Sequence, residues 1–180
     1  FNVDPLVWLI VQPYAAAPHW HVVGEICRRN ATLEDAWREF VFRYGPAPAV
    51  HQMLSTHPDW EERYGARGML LCGDAGHRAL LEIYGDATEE RRTLYSRVKA
   101  YAMIVAGLRE HGLKATLRVP AQNPPIRVRH ETMNDALSHN LVIADPTCEQ
   151  LIKDWESGIW DGSGKDINLD QPRSYQMLND

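Results

Sequence analysis

The chain has 180 residues, of which 44% are apolar and 24% are charged, and its formal net charge is −5. This length and apolar content predict one substantial core, and the acidic balance argues against a surface that holds nucleic acid by overall charge alone. No apolar stretch approaches the roughly 20 residues that a membrane-spanning helix needs, and no signal-type segment is recognisable. The three cysteines lack metal-ligand spacing, which favours a reducing compartment.

The N-terminal segment predicts an antiparallel pair of strands followed by a helix. Leu6 to Gln12 and Trp20 to Arg28 are β-rich runs with prolines between them. Apolar residues then recur at helical spacing from Leu33 to Tyr44. Thr32, with Asp35 three positions later, forms a capping box at the start of this helix, and a Gly-Pro pair ends it.

The middle of the chain predicts a strand that ends at an acidic residue. Loops and a short helix are expected first, because proline, histidine and glycine interrupt the pattern. The apolar run from Ala79 to Tyr84 is typical of a buried strand, and it stops at Gly85 and Asp86. A helix over Leu94 to His111 and a short strand over Lys114 to Val119 follow.

The C-terminal third predicts two helices around one more strand. Val128 to His139 has helical periodicity, and Leu141 to Ala144 is typical of a short buried strand. Thr147, with Gln150 three residues later, is predicted to cap the last of these helices. The glycine-rich stretch from Gly158 to Asp170 predicts a turn or flap. Strands first, then helices alternating with strands, favour a mixed α/β sheet.

Three short motifs carry a resemblance to a known family. They are Phe1-Asn2-Val3-Asp4-Pro5, Tyr84-Gly85-Asp86-Ala87-Thr88 and Leu178-Asn179-Asp180. With Asn123-Pro124-Pro125 and Asp145-Pro146-Thr147-Cys148, they extend over nearly the whole chain. In order and approximate spacing, these motifs resemble the nuclease domain of the tailed-phage terminase large subunit.

The resemblance implies a ribonuclease-H-like mixed sheet flanked by helices, with a single nuclease domain over residues 1–180. In that family, acidic residues lie on the first strand, after the fourth strand and on the last helix, and the first strand lies beside the strand that Asp86 follows. Asp86 and Asp180 match the second and third acids. The family's first aspartate usually stands directly before the Phe-Asn pair, so it is absent from this sequence. Asp4 is a candidate replacement, although aspartate before proline usually forms a turn.

Phosphodiester hydrolysis explains why carboxylates are needed. Two divalent ions roughly 4 Å apart can activate the attacking water and neutralise the departing oxygen. Hard cations prefer oxygen ligands, and aspartate is short enough to hold them rigidly. The resemblance implies a two-metal-ion endodeoxyribonuclease using Mg²⁺ or Mn²⁺, with Asp86 and Asp180 as catalytic metal ligands and Asp4 as a further ligand. Such an enzyme cuts concatemeric bacteriophage DNA during genome packaging in the host cell cytoplasm.

The implied partners are double-stranded DNA and, by the same resemblance, the terminase ATPase domain, the small terminase subunit and the portal. The glycine-rich phosphate loop of an ATPase motor is missing, so that domain is not expected within this chain. Candidate DNA contacts are the basic residues Arg91, Arg92, Arg97, Lys99, Arg127 and Arg129. A solvated surface explains each of these residues equally well. The alternative function is a non-catalytic ribonuclease-H-like module that clamps DNA or docks on the portal.

Several candidate residues also have an ordinary structural interpretation. Asp86 can cap the turn or helix that follows it. His19 and His21 have a spacing that permits metal ligation, yet exposed strand histidines are commoner. Asp74 repeats a Gly-Asp-Ala step in a predicted loop. Glu25, inside an apolar strand, reaches the site, pairs with a buried base, or is an ordinary paired strand residue.

Overall fold

The structure is a computed structural model that describes residues 6–13, 19–59, 62, 80–85 and 99–157. In chain order, its elements are β1 (Leu6–Pro13), β2 (Trp20–Arg28), α1 (Leu33–Tyr44), α2 (Ala47–Thr56), β3 (Leu80–Ile83), α3 (Ala100–Glu110), β4 (Lys114–Leu117), α4 (Ile126–Ser138), β5 (Val142–Ala144) and α5 (Glu149–Ser157). They fall into two compact units. One unit contains α1, α2, β3, α3 and β4, and the other contains β1, β2, α4, β5 and α5.

The unit that contains β1 is built on a three-stranded sheet in the order β1-β2-β5. β1 runs antiparallel to β2, which confirms the predicted pair, and β5 runs parallel to β2. The β1–β2 register shifts between Ile10 and Val11. Helix α5 covers this sheet through an apolar cluster of Val22, Cys148, Leu151, Val142, Ala144 and Trp155. Burial of these apolar side chains is the main stabilising contribution at this contact.

The unit that contains β3 is built on helix packing and a two-stranded parallel sheet, β3–β4. Helix α1 begins as predicted, because Thr32 and Asp35 form a reciprocal capping box. Helix α1 packs against α3. A Cβ on Gly107 would lie 2.6 Å from Cε2 of Trp37, so the indole of α1 lies directly against the α3 backbone. Glycine is therefore the residue that this close approach requires.

Both sheets and their helices give the mixed α/β class that the sequence predicts. The strand pairings that the structure describes join β1 to β2, β2 to β5 and β3 to β4. A ladder between the first strand and β3, which the terminase resemblance implies, is not among these described pairings. The ribonuclease-H-like order and the single domain over residues 1–180 therefore stay predictions.

The burial of β5 and the start of α3 differ from the predictions made from the sequence. The strand predicted over Leu141 to Ala144 is not fully buried, because Ile143 is 51% exposed on a strand that pairs on one side in the described sheet. Helix α3 begins at Ala100, because Lys99 before it has an extended backbone, so the continuous helix predicted from Leu94 to His111 is wrong at Lys99. Leu94 itself and the flap predicted from Gly158 to Asp170 lie outside the described residues. In the ranges that the structure covers, no helix is both long and apolar enough to cross a membrane.

Candidate metal centre at the end of β3

All three predicted metal ligands, Asp86, Asp180 and Asp4, lie outside the described residues, as does Asp74. The structure does describe the strand that leads to Asp86, up to Gly85. Around this strand end, the described elements of the same unit are β3, its neighbour β4 and the helix α3. These elements determine where the chain is directed as it reaches Asp86.

The end of β3 is fixed by its pairing with β4. The two strands are parallel, with Ile83 opposite Leu117. The amide of Arg118, just after β4, donates to the carbonyl oxygen of Ile83 at 2.8 Å. The carboxyl ends of both strands consequently lie side by side. In open α/β sheets, this edge is where ligands and catalytic groups are usually found.

Gly85, two residues after the end of β3, lies against the phenol ring of Tyr101 on α3. A Cβ on Gly85 would lie 2.6 Å from Cε1 of Tyr101 and closer still to the hydroxyl oxygen. Tyr101 is itself buried, at 7% exposure, so its ring cannot move aside freely. The glycine in the Gly-Asp step is therefore required by the packing of α3, and it fixes the path of the chain immediately before Asp86.

Three polar side chains form a network on the exposed face of this strand pair. The Tyr84 hydroxyl donates to Glu82 Oε2 at 2.8 Å. Arg118 donates to Glu82 Oε1 from Nε at 3.0 Å and from Nη2 at 2.9 Å. The hydrogen bond from Tyr84, followed by those from Arg118, holds the pKa of Glu82 below its ordinary value. Glu82 is therefore an anion at neutral pH. The sequence analysis did not single out this network.

His19, directly before β2, and His21, on β2, do not form a metal site with other described residues. Nδ1 of His19 lies 2.7 Å from the carbonyl oxygen of Asn140, and His21 lies opposite Gln12 and Ile143 in the sheet. In the part of the chain that the structure describes, no group of three His, Cys, Asp or Glu side chains could hold a metal ion. The structure thus gives the His19 side chain a contact with the backbone.

Glu25 has a structural role that is more specific than any of the predicted alternatives. Its Oε1 accepts from the amide of Gln150 at 2.8 Å, and its Oε2 accepts from the amide of Leu151 at 2.9 Å. These amides belong to the first turn of α5, where backbone N–H groups lack helical partners. The carboxylate of β2 therefore caps α5. It provides the contacts that the sequence analysis had expected from Thr147.

Thr147 instead stabilises the turn before α5. Its amide and hydroxyl both donate to Asp145 Oδ1, at 2.9 and 2.6 Å. These hydrogen bonds lower the pKa of Asp145. Burial raises the pKa of the neighbouring Cys148 thiol to about 11, so this cysteine is a protonated packing residue at neutral pH. The Asp145-to-Cys148 motif of the resemblance thus forms a turn with a buried thiol.

The basic residues proposed as DNA contacts are only partly described. Arg91, Arg92 and Arg97 lie outside the described ranges. Arg127 is exposed and forms an ion pair with Glu131 one helical turn away, at 2.7 Å. Arg118, which the sequence analysis missed, is a cation at the β3 end: its amide donates to Ile83, and its guanidinium contacts Glu82.

No protein-family model, curated protein or solved structure matches this chain. The resemblance to terminase nucleases therefore rests on the motifs alone.

Proposed function

We propose that this chain is a metal-dependent DNA endonuclease with a ribonuclease-H-like fold, related in function to the tailed-phage terminase nucleases that cut concatemeric viral DNA. What supports the proposal most is the local geometry before Asp86. The strand β3, in a parallel pair, ends at Ile83, and the backbone of Gly85 two residues later packs on Tyr101. The residue after Gly85 is the aspartate that the family motif requires. Such a strand end is a favourable position for a ligand group.

The roles of the residues follow from their chemistry. Asp86 and Asp180 would hold Mg²⁺ or Mn²⁺, and Asp4 would be a further ligand, because carboxylate oxygens are the donors that hard divalent ions prefer. The ions, when bound, supply an activated water and neutralise the leaving oxygen. The packing of Gly85 on Tyr101 would limit the motion of the chain at Asp86. This would hold the carboxylate in the position that metal binding and catalysis require.

The setting of this activity belongs to the same proposal. The substrate would be double-stranded DNA in the host cell cytoplasm, and the terminase ATPase domain, the small subunit and the portal would be the protein partners. Because the formal net charge of the chain is −5, it would bind DNA through a local basic surface and not through its overall charge.

The proposal is tested by Mn²⁺ binding and plasmid nicking on the same preparations. We expect calorimetry to detect Mn²⁺ binding and supercoiled plasmid to be nicked only when Mn²⁺ is added. Asp86→Asn should lose both, because the amide keeps the shape of the side chain but loses its charge. Asp59→Asn is the matched control, since Asp59 is an exposed acid in the turn after α2.

Two results would overturn the endonuclease assignment. One is a folded Asp86→Asn variant that binds Mn²⁺ and nicks DNA as well as the unmodified chain. The other is an unmodified chain that binds DNA but neither binds Mn²⁺ nor cleaves, which would favour the non-catalytic clamping or docking module.

A further inference from the structure

The face of the β3–β4 pair that carries Glu82 and Tyr84 also carries Arg118, and the three side chains act as a unit. Glu82 accepts the Tyr84 hydroxyl on one oxygen and the Arg118 guanidinium on the other. Its two oxygens are thus used separately, which holds the guanidinium in a defined orientation. Side chains two residues apart on a strand lie on the same face, so Tyr84 and Glu82 are adjacent by strand geometry.

Arg118 keeps donors available for another anion. A guanidinium has five N–H donors, and the two nitrogens that contact Glu82 use one each. The Arg118 side chain is 54% exposed. Tyr84 beside it is 63% exposed, which is high for an aromatic residue. An exposed, pre-oriented guanidinium next to an exposed aromatic ring is suited to the phosphate and sugar of a nucleic-acid strand.

The position of this network connects it to the proposed cleavage site. Arg118 bonds through its amide to the last residue of β3, Ile83. Asp86 is two residues beyond Tyr84, which corresponds to at most about 7 Å of extended chain. This separation is no more than about the rise of two nucleotides, at about 3.4 Å each, so one DNA strand is long enough to contact Tyr84 and a metal site at Asp86 together.

We propose that Arg118, oriented by Glu82 and Tyr84, binds a backbone phosphate of the DNA duplex beside the bond that is cut. This inference rests on the proposed nuclease function and assigns the surface by which that site holds its substrate. The contact is to a phosphate, so it positions the strand without reading its sequence. As an exposed ion pair, Arg118 and Glu82 contribute little to folding stability, so removal of the guanidinium leaves the fold intact.

The test measures the affinity of a fluorescein-labelled DNA duplex by anisotropy, in EDTA to prevent cleavage, over a series of salt concentrations. Arg118→Ala should weaken binding about tenfold and reduce the slope of log affinity against log salt by about one, because one phosphate contact is lost. Arg118→Lys should retain the slope but lose affinity, since lysine keeps the charge without the planar fork. Lys153→Ala is the control, because Lys153 is an equally exposed cation paired with Glu149 on α5.

The outcomes separate this inference from the nuclease proposal. If the unmodified chain binds DNA and Arg118→Ala has the same affinity and slope, the Arg118 contact is wrong while the nuclease proposal stands. An equal loss in Lys153→Ala would also overturn it, because binding would then follow overall charge. An unmodified chain that binds neither DNA nor Mn²⁺ would overturn both proposals. Far-UV circular dichroism checks folding. If Arg118→Ala is misfolded, the loss of DNA affinity in Arg118→Lys decides the test.

Discussion

The backbone of Gly85 lies directly against the phenol ring of Tyr101, so that a Cβ on Gly85 would come within 2.6 Å of Tyr101 Cε1. We expect Gly85→Ala to lower the free energy of unfolding by about 1 to 3 kcal/mol, because the buried ring must shift to admit the methyl group. Urea unfolding monitored by circular dichroism measures this change. In the same variant, Mn²⁺ affinity should fall, because the path of the chain before Asp86 is altered.

A double-mutant cycle identifies the ring as the cause. In a Tyr101→Ala background, Gly85→Ala should cost much less than in the unmodified chain, because the methyl group then has room. Gly112→Ala is a matched glycine control: its φ is +78° and nothing lies within 4 Å of a Cβ there. It should cost about 1 kcal/mol of backbone strain in both backgrounds. Additive effects of Gly85→Ala and Tyr101→Ala would contradict the steric explanation.

The carboxylate of Glu25 joins β2 to the first turn of α5 by accepting the amides of Gln150 and Leu151. We expect Glu25→Gln to lower the free energy of unfolding by about 1 kcal/mol, because the negative charge at a helix N-terminus is lost. Glu25→Ala should cost about 1 to 3 kcal/mol, since two partly buried amides lose their acceptor.

Glu149→Gln supplies the comparison for this contact. Glu149 is also in the first turn of α5, but it is exposed and pairs with Lys153 at 3.7 Å. Its replacement should change the free energy of unfolding by about 0.5 kcal/mol or less. Equal effects of the two glutamine substitutions in thermal or urea unfolding would show that Glu25 acts through general charge and not through capping.

Elements determined by neighbouring residues were predictable from the sequence, whereas contacts between distant residues were not. The capping box of Thr32 and Asp35 involves residues three apart, and the predicted helix began where expected. Glu25 and Gln150 are 125 residues apart, and Arg118 and Glu82 are 36 apart. No local pattern signals such pairs, so Thr147 was wrongly expected to cap α5 and Arg118 was overlooked. The acids of the candidate site were inferred from short motifs, and their geometry stays a prediction.

His111 packs against Trp37 where α3 meets α1, with ring centroids 5.4 Å apart. Burial lowers the pKa of His111, Glu110 opposes this lowering, and Arg38 adds to it. The Nδ1 atom is buried and has no hydrogen-bond partner among the described residues. In the unfolded chain the pKa is near 6.5, so the unfolded state binds a proton first as the pH falls. Folding stability should therefore decrease below about pH 6.5 and level off below the folded pKa.

The His111→Phe variant tests this pH dependence, because it keeps an aromatic ring on Trp37 but removes the titrating group. Urea midpoints measured from about pH 7.5 to about pH 5 should fall less steeply for this variant than for the unmodified chain. His51→Gln is the control, since His51 is exposed on α2. An identical pH dependence in His111→Phe and the unmodified chain would exclude His111 as the group responsible.

Asp86 and Asp180 are assigned to the same pair of metal ions by the nuclease proposal. If both carboxylates hold these ions, Asp86→Asn and Asp180→Asn should each abolish nearly all Mn²⁺-dependent nicking. The double variant should then be hardly worse than either single variant, because groups that act as a unit have strongly non-additive effects. Plasmid nicking rates at saturating and limiting Mn²⁺ measure the three variants, with folding verified for each.

Independent, multiplicative losses in nicking rate would mean that the two residues act separately. An active Asp180→Asn variant would remove Asp180 from the site. In the second case Asp4→Asn becomes the decisive substitution, because Asp4 is then the other carboxylate that the nuclease proposal assigns to the site with Asp86.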